Sequence, residues 1–329
     1  MAWQNRLSRR NVVQGLEGSR VGRYVLEDCL GHGSHTAVYR AWAPAGEWCA
    51  LKLVDTQVQG GDDLAERLRR DATLMERADH PHILPIYNPM RSDDLTAAAM
   101  PLMTGPTLHD LMRNGGLDPD SAWSVLSQVA ESLDSAHQRG LTYRVLKPSN
   151  ILINDGRAYL SEFGITGRYT GQVGLSNPDC RLPSAQYLAP EQVLGRNPDH
   201  RSDVYAFAVL VFELATATSL HGDVASSAIL ERTLKQAPPS AHERNALVPP
   251  EVDGVLRRAL SRDPGARHGS AGQLIDELAC PPPPGGGGGD DGGGDDRPPP
   301  PAPADGDLSV ESLIDVLSGV LDPEDGRAQ

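Results

Sequence analysis

The chain of 329 residues contains no run of about 18 apolar residues, the length that a transmembrane helix requires. Its first 20 residues carry Arg6, Arg9 and Arg10 but no apolar core segment, so they do not match a secretory signal. We therefore expect a cytoplasmic protein without a membrane span.

Cysteine is scarce, and its spacing excludes two common uses. The chain has four cysteines, too scattered for a CxxC metal site or a dense disulfide framework. They are Cys29, Cys49, Cys180 and Cys280. We expect reduced thiols with no functional role.

Positive charge is also in short supply. The formal net charge is −14. Residues 281–329 hold nine Asp, two Glu and two Arg, so this segment carries −9 and the other 280 residues carry −5. That balance argues against a nucleic-acid-binding surface, which needs an excess of Lys and Arg to meet phosphates.

Apolar residues make up 39% of the chain, enough to bury the core of one large domain or two ordinary ones. From Tyr24 to Met103 the pattern is strand-like, with short apolar runs that include residues 83–87, separated by Gly, Asp and Pro. A helical stretch from about Asp63 to Arg77 interrupts them, with apolar positions at Leu64, Leu68, Leu74 and Met75. From Thr107 onward helical periodicity dominates, so a β-rich part precedes an α-rich part.

The C-terminal region has a different composition. Residues 281–307 are almost entirely Pro, Gly and Asp, which predicts a disordered linker because such residues cannot bury apolar area. The spacing of apolar residues predicts a short amphipathic helix over residues 308–322, followed by a tail over 323–329. Its apolar face consists of Leu313, Ile314, Leu317 and Leu321. This helix is either transient or a tethered docking peptide, which could bind its own domain or another protein.

Two features in the β-rich part are typical of phosphate binding. Leu30-GHGSHTAVYRAW lies between two predicted strands, and its glycines let backbone amides approach a triphosphate, although a glycine-rich hairpin without a ligand would look the same. Lys52 follows Val38 by 14 residues, within a predicted strand and flanked by leucines. An edge-strand lysine remains the alternative for Lys52.

An ordered series of motifs follows in the α-rich part. They are Thr142-YRVLKPSNILI, Leu160-SEFGIT, Tyr187-LAPE, Arg201-SDVYAF and Ser261-RDPGARHGSA. In these motifs the chain resembles the Ser/Thr protein-kinase family, especially its bacterial members, over about residues 24–278. The resemblance implies a two-lobed α+β fold after an N-terminal extension (1–23). The small β-rich N-lobe would span 24–103, and the larger helical C-lobe 104–278.

The resemblance also implies an ATP site with Mg²⁺. Gly31, Gly33 and Val38 would cover the nucleotide, while Lys52 would hold its α- and β-phosphates. Met100 falls at the gatekeeper position and Met103 at the hinge. The implied nucleotide-binding set is Leu30, Gly31, Gly33, Val38, Ala50, Lys52, Met100, Met103, Asn150 and Glu162. Within that set, Asn150 and Glu162 would be the metal ligands.

Other matches suggest a structural role. Glu191 would pair with Arg267, and Asp203 would hold the catalytic loop from beneath. Lys147 matches the lysine that approaches the γ-phosphate. The remaining structural matches are Arg144, Phe163 and Gly164. In the family, the arginine matching Arg144 can instead receive a phosphate on the activation segment, where the acceptors here would be Thr170, Ser176 or Ser184.

Three departures fall on the residues that perform the family's reaction. Val145 occupies the position of the aspartate that serves as catalytic base, and valine has no lone pair to offer. Glu162 replaces the metal-binding aspartate, and Asp71 replaces the helix glutamate that pairs with the strand lysine. We therefore expect a pseudokinase that signals by binding protein partners of unknown identity. The alternative is a weakly active serine/threonine kinase that uses Glu162 and Asn150 for magnesium and transfers the ATP γ-phosphate, or a kinase-fold enzyme that transfers another nucleotide group.

Overall fold

An antiparallel sheet forms the first lobe of the computed structural model, which describes residues 13–32, 36–57, 61–62, 65–66, 68–69, 72–73, 80–161, 185–281 and 316–317. The strand order is β1-β2-β3-β4-β6-β5. The strands are β1 Arg20–Val21, β2 Tyr24–His32, β3 Thr36–Trp42, β4 Trp48–Asp55, β5 Tyr87–Ser92 and β6 Leu95–Pro101. A helix lies between β4 and β5 in sequence, since the described residues within 61–73 are helical.

The sheet lobe begins before Tyr24. Val13 is fully buried, and its carbonyl accepts a hydrogen bond of 3.0 Å from the hydroxyl of Tyr39. The short strand β1 pairs with the start of β2. Residues 13–21 thus pack onto the sheet and cover part of its outer face.

Residues 83–87 form a strand only at their last position, where β5 begins at Tyr87. The strand-like prediction for this run is wrong for Leu84 to Ile86, because Pro85 has no amide hydrogen to donate to a ladder. Ile83 makes an isolated bridge to Leu160 instead, and the amide of Leu84 donates to the carbonyl of Leu160 at 2.9 Å. This segment therefore ties the two lobes together.

The second lobe is helical, apart from the hairpin of β7 Ile151–Asn154 and β8 Arg157–Leu160. Its helices are α1 Leu108–Asn114, α2 Pro119–Gln138, α3 Pro190–Val193, α4 His200–Thr216, α5 Ser226–Lys235, α6 Ala241–Arg244, α7 Pro250–Ala259 and α8 Ala271–Ala279. Helix α4 is buried on all sides from Ser202 to Thr216, as its almost continuous apolar sequence predicts. It forms the centre of this lobe. The order of a β-rich lobe followed by a helical lobe confirms the predicted fold class.

Two hydrophobic clusters hold the described residues together. The larger one contains inward-facing sheet residues such as Val54 and Ala98, the helical residues Ala65 and Leu68, and most of the helical lobe. The smaller one lies on the other face of the sheet around Tyr39. Within the described ranges, no helix has both the length and the apolar character needed to cross a membrane.

Candidate functional site

A cavity of about 650 Å³ lies where the sheet lobe meets the β7–β8 hairpin. Its volume is in the range of small-molecule and cofactor pockets. The residues from the predicted nucleotide set that line it are Leu30, Gly31, Val38, Ala50, Lys52, Met100 and Met103. The structure thus gathers in one cavity seven residues that span more than 70 positions of sequence.

Lys52 lies in the central part of the sheet. In β4 it pairs with Val38 of β3 on one side and with Ala98 of β6 on the other, so it is not on an edge strand. Side chains alternate along a strand, and Leu51 and Leu53 belong to the outer cluster while Lys52 lines the cavity. Only 3% of Lys52 is exposed. The sheet therefore places a buried cation at the cavity wall, where an anionic group would be stabilised.

The connection between the lobes forms one side of the cavity. Met100 pairs with Ala50 in the sheet, and β6 ends at the following residue, Pro101. The chain then passes so close to β7 that a Cβ atom on Gly105 would lie 1.8 Å from the carbonyl oxygen of Ile153. Only glycine fits at this position without moving the backbone. The connection is consequently fixed against the floor of the cavity.

Sequence reasoning missed several residues of this floor. Ser149, Leu152 and Ser161 line the cavity from the helical lobe. Leu152 lies in the hairpin strand directly after Asn150, and alternation along that strand was a usable signal for its direction. Ser161 precedes the Glu162-Phe163-Gly164 motif, and nothing in its local pattern indicates a contact with the cavity.

The loop before this hairpin, residues 142–150, is held by helix α4. Asp203 accepts hydrogen bonds from the backbone amides of Tyr143 at 2.7 Å and Arg144 at 2.6 Å. The ring of His137 lies 2.8 Å from the same carboxylate. Asp203 is almost fully buried, so these contacts compete little with water. The loop is thereby anchored to the most deeply buried helix.

Arg144 has an unusual backbone conformation. Its φ angle is 76°, in the left-handed region that non-glycine residues rarely adopt. The amide of Arg144 is held by Asp203, and its carbonyl accepts a hydrogen bond of 2.7 Å from the side chain of Gln192. These two hydrogen bonds, from Asp203 and Gln192, stabilise the strained conformation, which turns the chain sharply just before Val145.

Val145 is buried, with 4% of its surface exposed. Its carbonyl oxygen accepts a hydrogen bond of 3.2 Å from the side-chain amide nitrogen of Asn150. This contact uses one of the two N–H groups of the amide and leaves its oxygen for other contacts. Val145 does not belong to the described residues that line the 650 Å³ cavity, nor to those that line a second cavity on the other side of the loop.

A second cavity, of about 570 Å³, lies on the other side of the loop between α1 and the end of α4. Lys147 lines this cavity, while Ser149 lines both cavities. The hydroxyl of Tyr187 donates a 2.5 Å hydrogen bond to Glu213 in its wall. Burial raises the pKa of Glu213 to about 7, although the hydrogen bond from Tyr187 opposes that rise. The loop carrying Val145 therefore separates two cavities that meet at Ser149.

A buried ion pair lies shortly after Tyr187, which lines the second cavity. Glu191 and Arg267 form a bidentate contact with distances of 2.8 and 2.9 Å. Burial alone would raise the pKa of the Glu191 carboxyl, but hydrogen bonds from Arg267 and Ser202 outweigh it and hold that pKa below its usual range. Glu191 is thus a buried anion with its partners in place.

Five of the predicted site residues lie outside the described residues. They are Gly33, Asp71, Glu162, Phe163 and Gly164. Within the described ranges, no group of three or more His, Cys, Asp or Glu side chains could hold a metal ion. The predicted metal site depends on Glu162, so its geometry stays a prediction.

Comparison with known proteins assigns this two-lobed architecture to a family. A family model for the protein kinase domain matches residues 24–278. The chain belongs to the protein kinase family. The resemblance seen in the sequence motifs is therefore confirmed, and so is the two-lobed kinase fold.

Related bacterial kinases support the same assignment. The kinase domain is 33% identical over 261 residues to the serine/threonine-protein kinase PknD of Mycobacterium tuberculosis, covering 78% of this chain and 39% of that protein. It is 30% identical over 260 residues to PrkC of Bacillus subtilis, covering 78% and 40%. The chain thus spans about two fifths of the length of these curated relatives.

Solved kinase structures share the fold. The crystal structure of the Mycobacterium tuberculosis PknI kinase domain matches this kinase with a TM-score of 0.63 and 26% sequence identity. The match covers 79% of this chain and 96% of the PknI chain. In the kinase fold the first cavity corresponds to the cleft between the lobes, and kinases in general use ATP and Mg²⁺ there.

Proposed function

We propose that this kinase-family protein is a pseudokinase that binds ATP in the cleft between its lobes and acts by presenting its surface to protein partners. The observation that carries the proposal is the valine at position 145. It occupies the position at which the family has its catalytic base, on a loop that Asp203 holds at two successive amides.

The anchoring of this loop argues against a substitute base. Because the amides of Tyr143 and Arg144 and the carbonyl of Val145 are all hydrogen-bonded, the backbone has little freedom to bring a neighbouring group into place. A positioned general base contributes about 10²–10⁴-fold to a rate. Tyr143 is a poor candidate, since its hydroxyl is donated to the carbonyl of Ser161. The loss of the base therefore removes most of the phosphotransfer rate.

Nucleotide binding has support that is independent of catalysis. The cleft has a volume of about 650 Å³, apolar walls that include Val38 and Leu152, and the buried cation of Lys52. An adenosine triphosphate needs an apolar slot for its base and cations for its phosphates, and this arrangement supplies both. Asn150 and Glu162 would hold Mg²⁺, with the glutamate one methylene longer than the usual aspartate.

A weakly active kinase is the second candidate function. It is favoured by the presence of Lys52 in a central strand and of Asn150 at the end of the loop, because a phosphotransfer reaction would use both positions. Phosphoryl transfer depends mainly on positioning and electrostatics, so a longer carboxylate at 162 is compatible with slow turnover.

Thermal-shift measurements with ATP, with and without Mg²⁺, test the nucleotide site. We expect ATP to raise the Tm of the wild type, because a ligand that binds the native state stabilises it, and we expect Lys52→Ala to abolish that shift. Lys235→Ala is the matched control, since Lys235 is an exposed lysine that pairs with Glu231 in its own helix. A folded wild type without any ATP shift would contradict ATP binding.

A phosphotransfer assay with labelled ATP then separates the two candidates. The pseudokinase proposal predicts no transfer above the background of Lys52→Met. Transfer by the wild type that Lys52→Met eliminates would replace the proposal by the weakly active kinase. Both outcomes are readable whether or not a protein partner is known.

A further inference from the structure

Two residues far beyond the kinase domain belong to its hydrophobic core. Val316 and Leu317 are helical, and their exposed fractions are 2% and 0%. Both are members of the larger hydrophobic cluster, together with the helical lobe and the inward face of the sheet. They come 35 and 36 residues after Pro281, where the continuous description of the domain ends.

The sequence around these residues explains how they reach a core. At 100° per residue, the apolar positions from 310 to 321 fall within an arc of about 160°, and the polar positions fill the opposite side. The apolar positions are Val310, Leu313, Ile314, Val316, Leu317, Val320 and Leu321. Leu317 lies near the middle of this arc and Val316 at its edge.

The burial of both Val316 and Leu317 restricts how their helix can contact the surface that covers it. Side chains at successive helical positions point about 100° apart, so a helix that touches a flat surface along one line would bury only one of them. Burial of Val316 at the edge of the arc, together with Leu317 near its middle, requires a surface that surrounds more than a quarter of the helix. This is the geometry of a helix in a groove.

We propose that the segment 310–321 is an integral docking helix that packs in cis into a groove of its own kinase domain. The occupied side is that of the larger cluster, because the smaller cluster on the outer face of the sheet does not contain Val316 or Leu317. The helix therefore packs against the part of the domain that the larger cluster occupies. This inference does not depend on whether the protein is catalytically active.

Binding in cis follows from the length of the connection. If the 28 residues between Pro281 and Val310 behave as their Pro-, Gly- and Asp-rich composition predicts, their root-mean-square span is roughly 26–32 Å, comparable to the size of one kinase lobe. A flexible tether of this kind gives an effective concentration that approaches the millimolar range. Another copy of the chain at micromolar concentration competes poorly with the tethered segment.

The test compares two aspartate substitutions in the 329-residue chain, Leu317→Asp and Ser318→Asp. Both add one negative charge to the same helix, but position 317 lies on the apolar arc and position 318 on the polar one. We expect Leu317→Asp to lower the Tm by about 5 °C and Ser318→Asp to change it by less than about 1 °C. Amide hydrogen exchange of segment 310–321 should accelerate at least tenfold only in Leu317→Asp.

Equal Tm values and equal exchange rates for the two variants would overturn the proposal. Light scattering of the wild type distinguishes cis from trans docking. A monomer whose Tm does not change between about 1 and 50 µM supports docking in cis. A dimer with a concentration-dependent Tm would overturn docking in cis and assign the groove to a second copy.

Discussion

Glu191 and Arg267 meet as a bidentate ion pair, although 76 residues separate them in the sequence. The guanidinium is fully buried, and it also donates to the backbone carbonyls of Ser261 and Arg201. The pair therefore joins α3, the start of α4 and the segment before α8. Its role is to hold together the base of the helical lobe, beneath the loop that carries Val145.

Breaking this pair should destabilise the protein strongly. We expect Arg267→Met to lower the free energy of unfolding by about 3–5 kcal/mol, because it leaves the buried carboxylate of Glu191 without its cation. Arg258→Met is the matched control, since the pair between Arg258 and Glu277 lies nearer the surface and should cost about 1 kcal/mol or less. Urea denaturation measures both losses, and equal losses would contradict a special role for the buried pair.

The stability of the protein should depend on pH through Glu213. Its folded-state pKa of about 7 lies above the ordinary value of 4.5 because the carboxyl is buried. The stabilisation from its protonated form is complete below pH 4.5 and is lost as the pH rises to about 7. Relative to Glu213→Gln, which does not ionise, the wild type should lose on the order of 3 kcal/mol over this interval.

Chemical denaturation of the two proteins at several pH values checks this expectation. Other titrating groups are common to both and cancel in the difference. A difference in unfolding free energy that stays constant from pH 4.5 to 8 would show that Glu213 titrates normally.

Gly105 should be intolerant of any side chain. In Gly105→Ala the new Cβ atom would collide with the carbonyl oxygen of Ile153, so the connection between the lobes must move. We expect a loss of about 2 kcal/mol or more in stability, together with a weaker ATP shift, because this segment lines the cleft. Gly254→Ala provides the contrast.

Gly254 lies within helix α7, and a Cβ atom there would meet nothing within 4 Å. Alanine favours a helix over glycine by about 1 kcal/mol, so Gly254→Ala should raise the stability. The opposite signs of the two substitutions are measurable in a single thermal-unfolding experiment. A stabilised Gly105→Ala variant would show that the lobe connection is not fixed against β7.

Introducing a carboxylate at position 145 tests whether the missing general base limits the rate of phosphotransfer. In a Glu162→Asp background, we expect Val145→Asp to raise phosphotransfer by about 10²–10⁴-fold, the usual contribution of a general base. Val145→Asn is the matched control, because asparagine has nearly the same shape and polarity but cannot accept a proton at neutral pH. Equal rates for the Asp and Asn variants would show that the missing base is not the limiting defect.

The fold class and the order of its parts could be predicted from the sequence alone. The change from short apolar runs to helical periodicity near Thr107 predicted a β-rich part followed by an α-rich part. The ordered motifs placed Lys52, Val145 and Asn150 relative to each other along the chain. These are local properties, because periodicity and motif spacing are set by neighbouring residues.

Which of these residues meet became visible from the packing of the folded chain. The anchoring of the catalytic loop requires Asp203 to lie within 2.7 Å of an amide that is 60 residues away, and the pKa of Glu213 depends on the burial of its carboxyl in the helical lobe. Likewise, the amphipathic pattern from 310 to 321 left open whether that segment docks, and the proposal that it does rests on the burial of Val316 and Leu317. Burial and long-range hydrogen bonds depend on how distant elements pack, and local sequence patterns do not specify that packing.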